Sequence, residues 1–285
     1  SESMIVLSLY PSYWLSAHDS GVAIAKDGEL IYAYEEQKLS RINHRESKYL
    51  PDRALLSALF TTQIDPREID LICLSGIPQV EDPHHIFDRI ERYFGISCKN
   101  VVACPHHVAH TALSVQGSGF DSGIYWTLDA DDGYGRSGEF GTFYGDQTTQ
   151  MAKFEGQSLP RFYWLLTGAC GFTDFEEGKV MGLASYGKVD PYLYDSMSTL
   201  FEFGPSGLAM FTAKTVFKPP EIRWKSFSHD EFRPFKVIHY LDRELCPTLA
   251  EMTQEHLPEV VAATGQRLVE DLAIESLRRL MATNG

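Results

Sequence analysis

The chain has 285 residues, of which 44% are hydrophobic and 12% aromatic, a composition typical of a globular protein with one large or two smaller domains. It carries 39 acidic and 25 basic side chains, so its formal net charge is -14 and nucleic acids and anionic membranes are not expected as partners. No apolar run approaches the roughly 20 residues that cross a bilayer. Five scattered cysteines without a Cys-x-x-Cys pair indicate reduced thiols, and therefore predict a cytoplasmic protein.

The first part of the chain predicts three short strands followed by alternating helices and strands. Ile5 to Leu9 and Gly21 to Ala25 are apolar runs, and Leu30 to Tyr34 follows across the hairpin signal Asp27-Gly28. This order predicts a ribonuclease-H-like layout, a mixed sheet covered by helices. The later elements are a helix after Pro51 with Leu55, Leu56, Leu59 and Phe60 on its apolar side, a buried parallel strand at Leu71 to Leu74, a helix at Ile86 to Phe94, a strand at Val101 to Ala103 and a helix at His106 to Val115.

The same pattern begins again in the second part of the chain. Strands are predicted at Gly123 to Leu128, Glu139 to Tyr144 and Gln150 to Phe154, and a strong helix at about Leu257 to Met281. Two successive meanders suggest an internal duplication with a cleft between two lobes. We expect a complete first lobe over residues 4–119. We also expect a truncated second lobe over residues 120–285, with an insertion at about 157–255 that includes Phe201 to Phe235.

His106 and His110 form the most informative pair of side chains. On a helix, residues at i and i+4 project from one face with their Cβ atoms roughly 6 Å apart, so two neutral imidazoles can share one divalent metal. Asp129, at the end of an apolar run, is a suitable next ligand for a first-row ion. The spacing also arises by chance in a chain with ten histidines. The glutamate that follows the first histidine in zinc proteases is missing, so hydrolysis by that mechanism is not expected.

Four further segments have an ordinary structural interpretation beside a functional one. The segments 17–21 and 129–135 are polar turns with glycine, which either bind an anion through backbone amides or simply turn the chain. The charged segment 35–44 follows a strand and is either a site or a solvated loop. The glycine-rich segment 178–187 holds one lysine and is either a site or a helix-to-loop packing segment.

In their order and spacing, these segments resemble the carbamoyltransferase family of antibiotic and nodulation-factor biosynthesis. The resemblance covers nearly the whole chain. The matching pieces are Ala17-His18-Asp19-Ser20, Asp27-Gly28-Glu29, Glu35-Glu36 with Ser40-Arg41 and His44, His106-His107-Val108-Ala109-His110, Thr127-Leu128-Asp129, the segment 177–187 and the segment 266–270.

The resemblance implies an α/β protein with a two-lobed actin/Hsp70-like fold, close to the proteins that add threonylcarbamoyl to tRNA. Family members move a carbamoyl group from carbamoyl-adenylate to a hydroxyl, here of a small-molecule acceptor. A separate C-terminal adenylate-forming domain makes this donor from carbamoyl phosphate and ATP. The transferring region holds a divalent metal, usually iron, with manganese or zinc as alternatives.

The same resemblance implies roles for individual residues. His106, His110 and Asp129 match the metal ligands, and a further aspartate ligand is expected beyond residue 285. His18 matches a catalytic-site histidine and is by its chemistry the best candidate for the base near the acceptor hydroxyl. The residues matched to the donor cofactor are Lys179, Gly182, Lys38 and Arg41, for which the resemblance gives position rather than role.

The expected truncation has consequences of its own. Without the adenylate-forming domain, or a separate chain that replaces it, the chain is expected to transfer no carbamoyl group from carbamoyl phosphate. Metal binding is expected to be weakened, and the exposed edge of the incomplete sheet makes a homodimer plausible. Alternatives are a threonylcarbamoyl-type tRNA-modifying protein, a sugar kinase or other ATPase of the same fold, and a non-enzymatic metal-binding or interaction fragment.

Overall fold

The computed structural model describes residues 3–10, 20–41, 50–75, 84–98, 100–129, 136–155, 158–172, 176–212 and 246–284. These residues form two compact units. The first contains the described residues up to Leu113, and the second begins at Ser114. Each unit has its own sheet and its own hydrophobic core.

The first unit is built on a five-stranded sheet with the order β3-β2-β1-β4-β5. β1 pairs antiparallel with β2, and β2 pairs antiparallel with β3, so the first three strands form the predicted meander. β4 runs parallel to β1, and β5 runs parallel to β4. The ribonuclease-H-like layout is thereby confirmed. The strands are β1 (Ile5–Tyr10), β2 (Gly21–Lys26), β3 (Glu29–Glu35), β4 (Leu71–Ser75) and β5 (Val101–Cys104).

Four helices begin within this unit. They are α1 (Glu36–Ser40), α2 (Asp52–Thr62), α3 (His84–Phe94) and α4 (His106–Ser118), and the division between the units falls within α4. The core lies on one face of the sheet, because alternate strand residues such as Leu7, Leu9 and Ile24 are fully buried there. Residues of α2 and α3, including Leu55 and Ile90, pack into the same core.

The buried side of α2 differs in part from the predicted one. Leu56 is 63% exposed and Phe60 is 76% exposed, whereas Ala54, Leu55 and Ala58 are fully buried. The prediction followed the large apolar side chains, but the two small alanines let the helix lie close to the sheet. The buried positions keep the i, i+3, i+4 spacing of a helix face, so the helix itself was predicted correctly. Of its predicted core residues, Leu55 is buried and Leu59 packs against the core as predicted, and only the placement of Leu56 and Phe60 was wrong.

The sheet of the second unit repeats the meander of the first. β6 (Ser122–Leu128), β7 (Arg136–Tyr144) and β8 (Gln147–Glu155) are antiparallel in the order β6-β7-β8. The turn between β7 and β8 contains Gly145 with φ of 57°, a conformation that glycine adopts without steric penalty. The second meander is therefore confirmed at the predicted place, and with it the α/β fold class.

The rest of the second unit is mainly helical. The long helix α9 (Pro258–Asn284) buries Val261 and Leu268 and packs with α5 (Leu159–Ala169) around Phe162 and Leu166. The segment 213–245 lies outside the described residues, and it includes most of the part of the predicted insertion from Phe201 to Phe235. The elements are α5 (Leu159–Ala169), α6 (Glu177–Ala184), α7 (Pro191–Ser198), β9 (Phe201–Phe203), β10 (Ala209–Phe211), α8 (Pro247–Thr253) and α9 (Pro258–Asn284).

All five cysteines are free thiols, as the sequence predicts. Cys170 and Cys246 are buried, and the other three are half-buried. Burial raises the pKa of the Cys170 thiol to about 12, so this group stays protonated at neutral pH. Among the described residues, none of the helices combines the length and the apolar character that a membrane span requires.

Candidate metal centre and its surroundings

The two predicted histidine ligands lie at the beginning of α4, directly after β5. Pro105 separates the strand from the helix, and its carbonyl accepts a hydrogen bond of 3.0 Å from the N–H of Ala109. This bond closes the first turn, which proline favours because its ring fixes φ near the helical value. His106 and His110 therefore stand one turn apart on the same face of the helix.

The geometry of this histidine pair suits a shared metal ion. The Nε2 atoms of His106 and His110 are 3.1 Å apart, with perpendicular rings whose centroids are 4.6 Å apart. Two nitrogens at about 2.1 Å from one ion, with an angle of about 90 to 110° between them, lie about 3.0 to 3.4 Å apart. The same separation also suits a hydrogen bond between one protonated and one bare nitrogen. His106 is half-buried and His110 is exposed, so the pair is open to solvent.

His107 has no counterpart in the predicted ligand set. It is only 3% exposed, and its ring centroid is 5.5 Å from that of His106 and 6.2 Å from that of His110. Because His107 is the next residue after His106 on the helix, its side chain points away from the face that His106 and His110 share. Its burial fits a packing role beside the pair.

Asp129, the predicted third ligand, lies in the second unit directly after β6. Its N–H donates to the carbonyl of Ser137 at 2.8 Å, and its own carbonyl accepts from Oγ of Ser158 at 3.2 Å. Both serines are fully buried, so the backbone of Asp129 is held on two sides. The side chain is half-buried, and residues 130–135 that follow it lie outside the described part of the chain.

Ser158 is a residue whose role the sequence did not indicate. It occupies the N-cap position of α5, where a serine normally accepts a hydrogen bond from its own helix. Its side chain makes no such cap bond and instead donates to the carbonyl of Asp129. The sequence shows only that Ser158 precedes Leu159 and Pro160 at the start of the helix. This pattern predicts that the serine accepts a hydrogen bond from its own helix, as an N-cap residue usually does.

Lys179 and Gly182 lie on α6. The ammonium of Lys179 is 2.7 Å from Oε1 of Glu176 and 5.8 Å from the ring centroid of Phe172, and its side chain is 58% exposed. A Cβ atom added at Gly182 would meet no atom within 4 Å apart from those of its chain neighbours and its own helix backbone. Packing therefore does not require glycine at this position, and the surface of α6 around it is open.

At Gly187, the last residue of the same segment, packing does require glycine. A Cβ atom here would overlap the carbonyl oxygen of Glu259 and crowd Ala263, both on α9. The close approach of this turn to α9 requires the absence of a side chain. The segment 178–187 thus contains one glycine that packing requires, Gly187, and one that packing does not require, Gly182.

Lys38 and Arg41 lie on and just after α1, where the charged segment 35–44 begins with a short helix. The ammonium of Lys38 is 3.5 Å from Oε2 of Glu35, and both side chains are about half exposed. Arg41 ends the helix in the left-handed conformation, with φ of 60°, and its N–H donates to the carbonyl of Gln37 at 3.0 Å. Residues 42–49, which include His44, are outside the described residues.

An open groove of about 610 Å³ lies beside Lys38 on the half-exposed face of the first sheet. Small side chains on this face, in the cross-strand row Ser8, Ala23 and Ala33, leave this space. Tyr10 and Glu35 lie along the same groove. His18, the predicted catalytic residue, follows β1 in the segment 11–19, which is outside the described residues.

Comparison with known proteins identifies the family. Residues 89–284 match the family model described as the carbamoyltransferase N-terminus, and this range covers more than half of the chain. The chain belongs to this family. The match includes both histidines of the pair, Asp129, and the segment with Lys179 and Gly182.

A curated relative of this carbamoyltransferase N-terminal chain is the nodulation protein NolNO of Sinorhizobium fredii. The two are 27% identical over an alignment of 261 residues, and the match covers 82% of this chain and 36% of the relative. The chain therefore spans little more than a third of the length of that protein.

Two solved structures show distant similarity to the carbamoyltransferase N-terminal chain. YeaZ from Pseudomonas aeruginosa is 11% identical, with a TM-score of 0.33 over 52% of this chain and 64% of that one. A putative N-acetylglucosamine kinase from Porphyromonas gingivalis is 12% identical, with a TM-score of 0.30 over 68% of this chain and 65% of that one. Both similarities are too weak to support any inference about activity.

Proposed function

We propose that this chain is the transferring region of an O-carbamoyltransferase, which moves a carbamoyl group from carbamoyl-adenylate to a hydroxyl of a small-molecule acceptor. Membership of the carbamoyltransferase N-terminal family supports the reaction class. The observation that carries the proposal further is the histidine pair, because its nitrogens already have the separation that one metal ion requires. Formation of the donor from ATP and carbamoyl phosphate is assigned to an adenylate-forming domain or chain.

In this proposal His106, His110 and Asp129 bind one divalent cation, with iron as the first candidate and manganese or zinc next. Two imidazole nitrogens and a carboxylate oxygen form a donor set that suits these ions. When bound, the cation supplies positive charge that polarises a carbonyl or neutralises a phosphate. The solvent-open position of His110 leaves room for donor atoms beside the protein ligands.

The transfer step needs a base that accepts the proton of the acceptor hydroxyl. It also needs positive groups that offset the negative charge of the donor phosphate. The acceptor oxygen attacks the carbamoyl carbon while its proton passes to His18. The bond from that carbon to the phosphate oxygen then breaks, and adenosine monophosphate leaves. The proposed donor contacts are Lys179, Gly182, Lys38 and Arg41, since the lysines and the arginine carry positive charge and the glycine leaves open surface.

The direct test supplies the chain with carbamoyl-adenylate made in place by a separate adenylate-forming enzyme. A panel of sugars, aminoglycosides and macrolides serves as acceptors, and carbamoylated products are detected by mass spectrometry. We expect product with at least one acceptor class, and none when His18 is replaced by alanine. Absence of product from every acceptor with a metal-loaded, folded chain would overturn the proposed transfer.

The proposed role of Asp129 is tested by the variant Asp129→Asn. The amide keeps the shape of the side chain but loses the negative charge, so we expect the affinity for Fe²⁺ to fall at least about 10-fold. Asp146→Asn is the matched control, because Asp146 is exposed in the turn between β7 and β8. Titration calorimetry without oxygen gives both affinities. Equal affinities in the two variants would exclude Asp129 from the ligand set.

The proposed donor contact of Lys179 is tested by Lys179→Met with adenosine monophosphate as the probe. Loss of one positive charge beside a phosphate is expected to weaken binding about 10-fold. Lys188→Met is the control, since Lys188 is an exposed lysine in the turn after α6. If both variants bind the probe as the parent chain does, Lys179 serves only its ion pair with Glu176.

A further inference from the structure

Glu36 is a buried carboxylate at the beginning of α1. The residue is only 7% exposed. Oε2 of its side chain accepts a hydrogen bond of 2.8 Å from the N–H of Ala54 in the first turn of α2. The backbone N–H of Arg53 also lowers the pKa of this carboxyl group. The N-cap position of α2 is Pro51, which provides no side-chain cap. Glu36 therefore supplies from α1 the acceptor that the first turn of α2 lacks.

Two further hydrogen bonds fix α1 in place. The N–H of Glu36 donates to the carbonyl of Ser20 at 2.8 Å, and the guanidinium of Arg53 donates to the carbonyl of Leu39 at 3.3 Å. The short helix is thus tied to α2 at both of its ends and to the beginning of β2. We call the set Glu36, Ser20, Leu39, Arg53 and Ala54 the Glu36 clamp.

The surroundings of Glu36 act on its charge in opposite directions, and burial outweighs the rest, so the pKa of its carboxyl group is raised. Removal from water raises the pKa of Glu36, while the N–H groups of Ala54 and Arg53 act in the opposite direction. Repulsion from the carboxylate of Asp52 also raises the pKa of Glu36, and attraction to the guanidinium of Arg53 lowers it. A carboxylate is stabilised here by the positive end of the α2 dipole as well as by the two donors.

The clamp holds the short helix that carries predicted functional groups. Lys38 lies two residues after Glu36 on α1, and Arg41 ends that helix. We infer that Glu36 is a positioning residue for the transfer reaction: it touches no substrate, but its bond to Ala54 holds α1, and with it Lys38, in register against α2. This inference rests on the proposed carbamoyl transfer.

The test compares Glu36→Ala with Glu36→Gln. Glutamine keeps an oxygen that can accept from Ala54, whereas alanine leaves the donors of α2 without their acceptor. With carbamoyl-adenylate supplied, we expect Glu36→Ala to lower kcat/KM about 10-fold or more, and Glu36→Gln to stay within about 3-fold of the parent chain. Glu29→Ala, at an exposed glutamate on β3, is the control and is expected to change nothing. Assays run below the melting temperature of every variant.

A second measurement separates this inference from the proposed function. Amide hydrogen exchange should become at least 10-fold faster at Ala54 in Glu36→Ala, with a change in the amide resonance of Lys38, and neither effect in Glu36→Gln. If the parent chain transfers no carbamoyl group but the exchange results hold, the proposed function fails and the clamp stands. Unchanged exchange at Ala54 in Glu36→Ala would overturn the clamp. Normal kinetics in that variant despite faster exchange would overturn the positioning role.

Discussion

Replacing His110 by alanine is expected to lower the affinity of the chain for Fe²⁺ at least about 100-fold. Loss of residues that merely support a metal ligand costs about 10- to 100-fold in affinity, so loss of a ligand itself is expected to cost more. The variant keeps the imidazole of His106 and the carboxylate of Asp129 but loses the second nitrogen, which lies 3.1 Å from that of His106. Anaerobic titration calorimetry and metal analysis of the purified variant provide the measurement.

The control for this prediction is His256→Ala, a half-buried histidine in the second unit outside the predicted ligand set. It should bind Fe²⁺ as the parent chain does. Repeating the titrations with Mn²⁺ and Zn²⁺ orders the three candidate ions. If His110→Ala retains full metal content, the short contact between the two rings is a structural hydrogen bond and the metal hypothesis is wrong.

Gly187→Ala is expected to lower the free energy of unfolding by about 3 kcal/mol. The added methyl group would overlap the carbonyl oxygen of Glu259, and a backbone atom of α9 cannot move aside as a flexible side chain can. Either α9 shifts and loses contacts with α6 and α5, or the turn at 185–187 distorts. Urea denaturation followed by circular dichroism measures the change.

Gly182→Ala is the matched variant in the same segment. A methyl group there meets nothing within 4 Å, and alanine favours a helix over glycine, so we expect the chain to become about 0.5 to 1 kcal/mol more stable. Weaker binding of adenosine monophosphate by this more stable variant would support a donor contact at Gly182. Equal destabilisation by both substitutions would contradict the packing difference between the two glycines.

The order of the strands was predictable because each carries a strong local signal. Asp27-Gly28 marks the first hairpin, and the unbroken apolar run at Leu71 to Leu74 indicates a strand buried in a parallel sheet. The histidine pair was predictable for a similar reason, since a spacing of four residues on a helix determines that the two rings share a face. These features depend on near neighbours in the chain.

The features that the sequence did not indicate depend on distant partners. In the sequence, Glu36 is one of several charges in a segment that reads as a solvated loop. In the structure, the N–H of Ala54 on α2 donates a hydrogen bond to Glu36 on α1. The orientation of α2 follows from how closely Ala54 and Ala58 approach the sheet, which side-chain size alone cannot predict. Ser158 follows the pattern of an ordinary cap, and its bond to Asp129 spans 29 positions.

The Glu36 clamp also bears on how the first unit reaches its folded state. α2 has 11 residues and no cap of its own, and an isolated helix of that length is marginal in water. Its missing acceptor comes from a residue 18 positions earlier, at the end of the β1–β3 meander. Formation of α2 and closure of the meander therefore favour each other, so the helix gains its stability only as the sheet assembles. Unfolding of this unit should accordingly be cooperative, without a populated state in which α2 persists after the strands have separated.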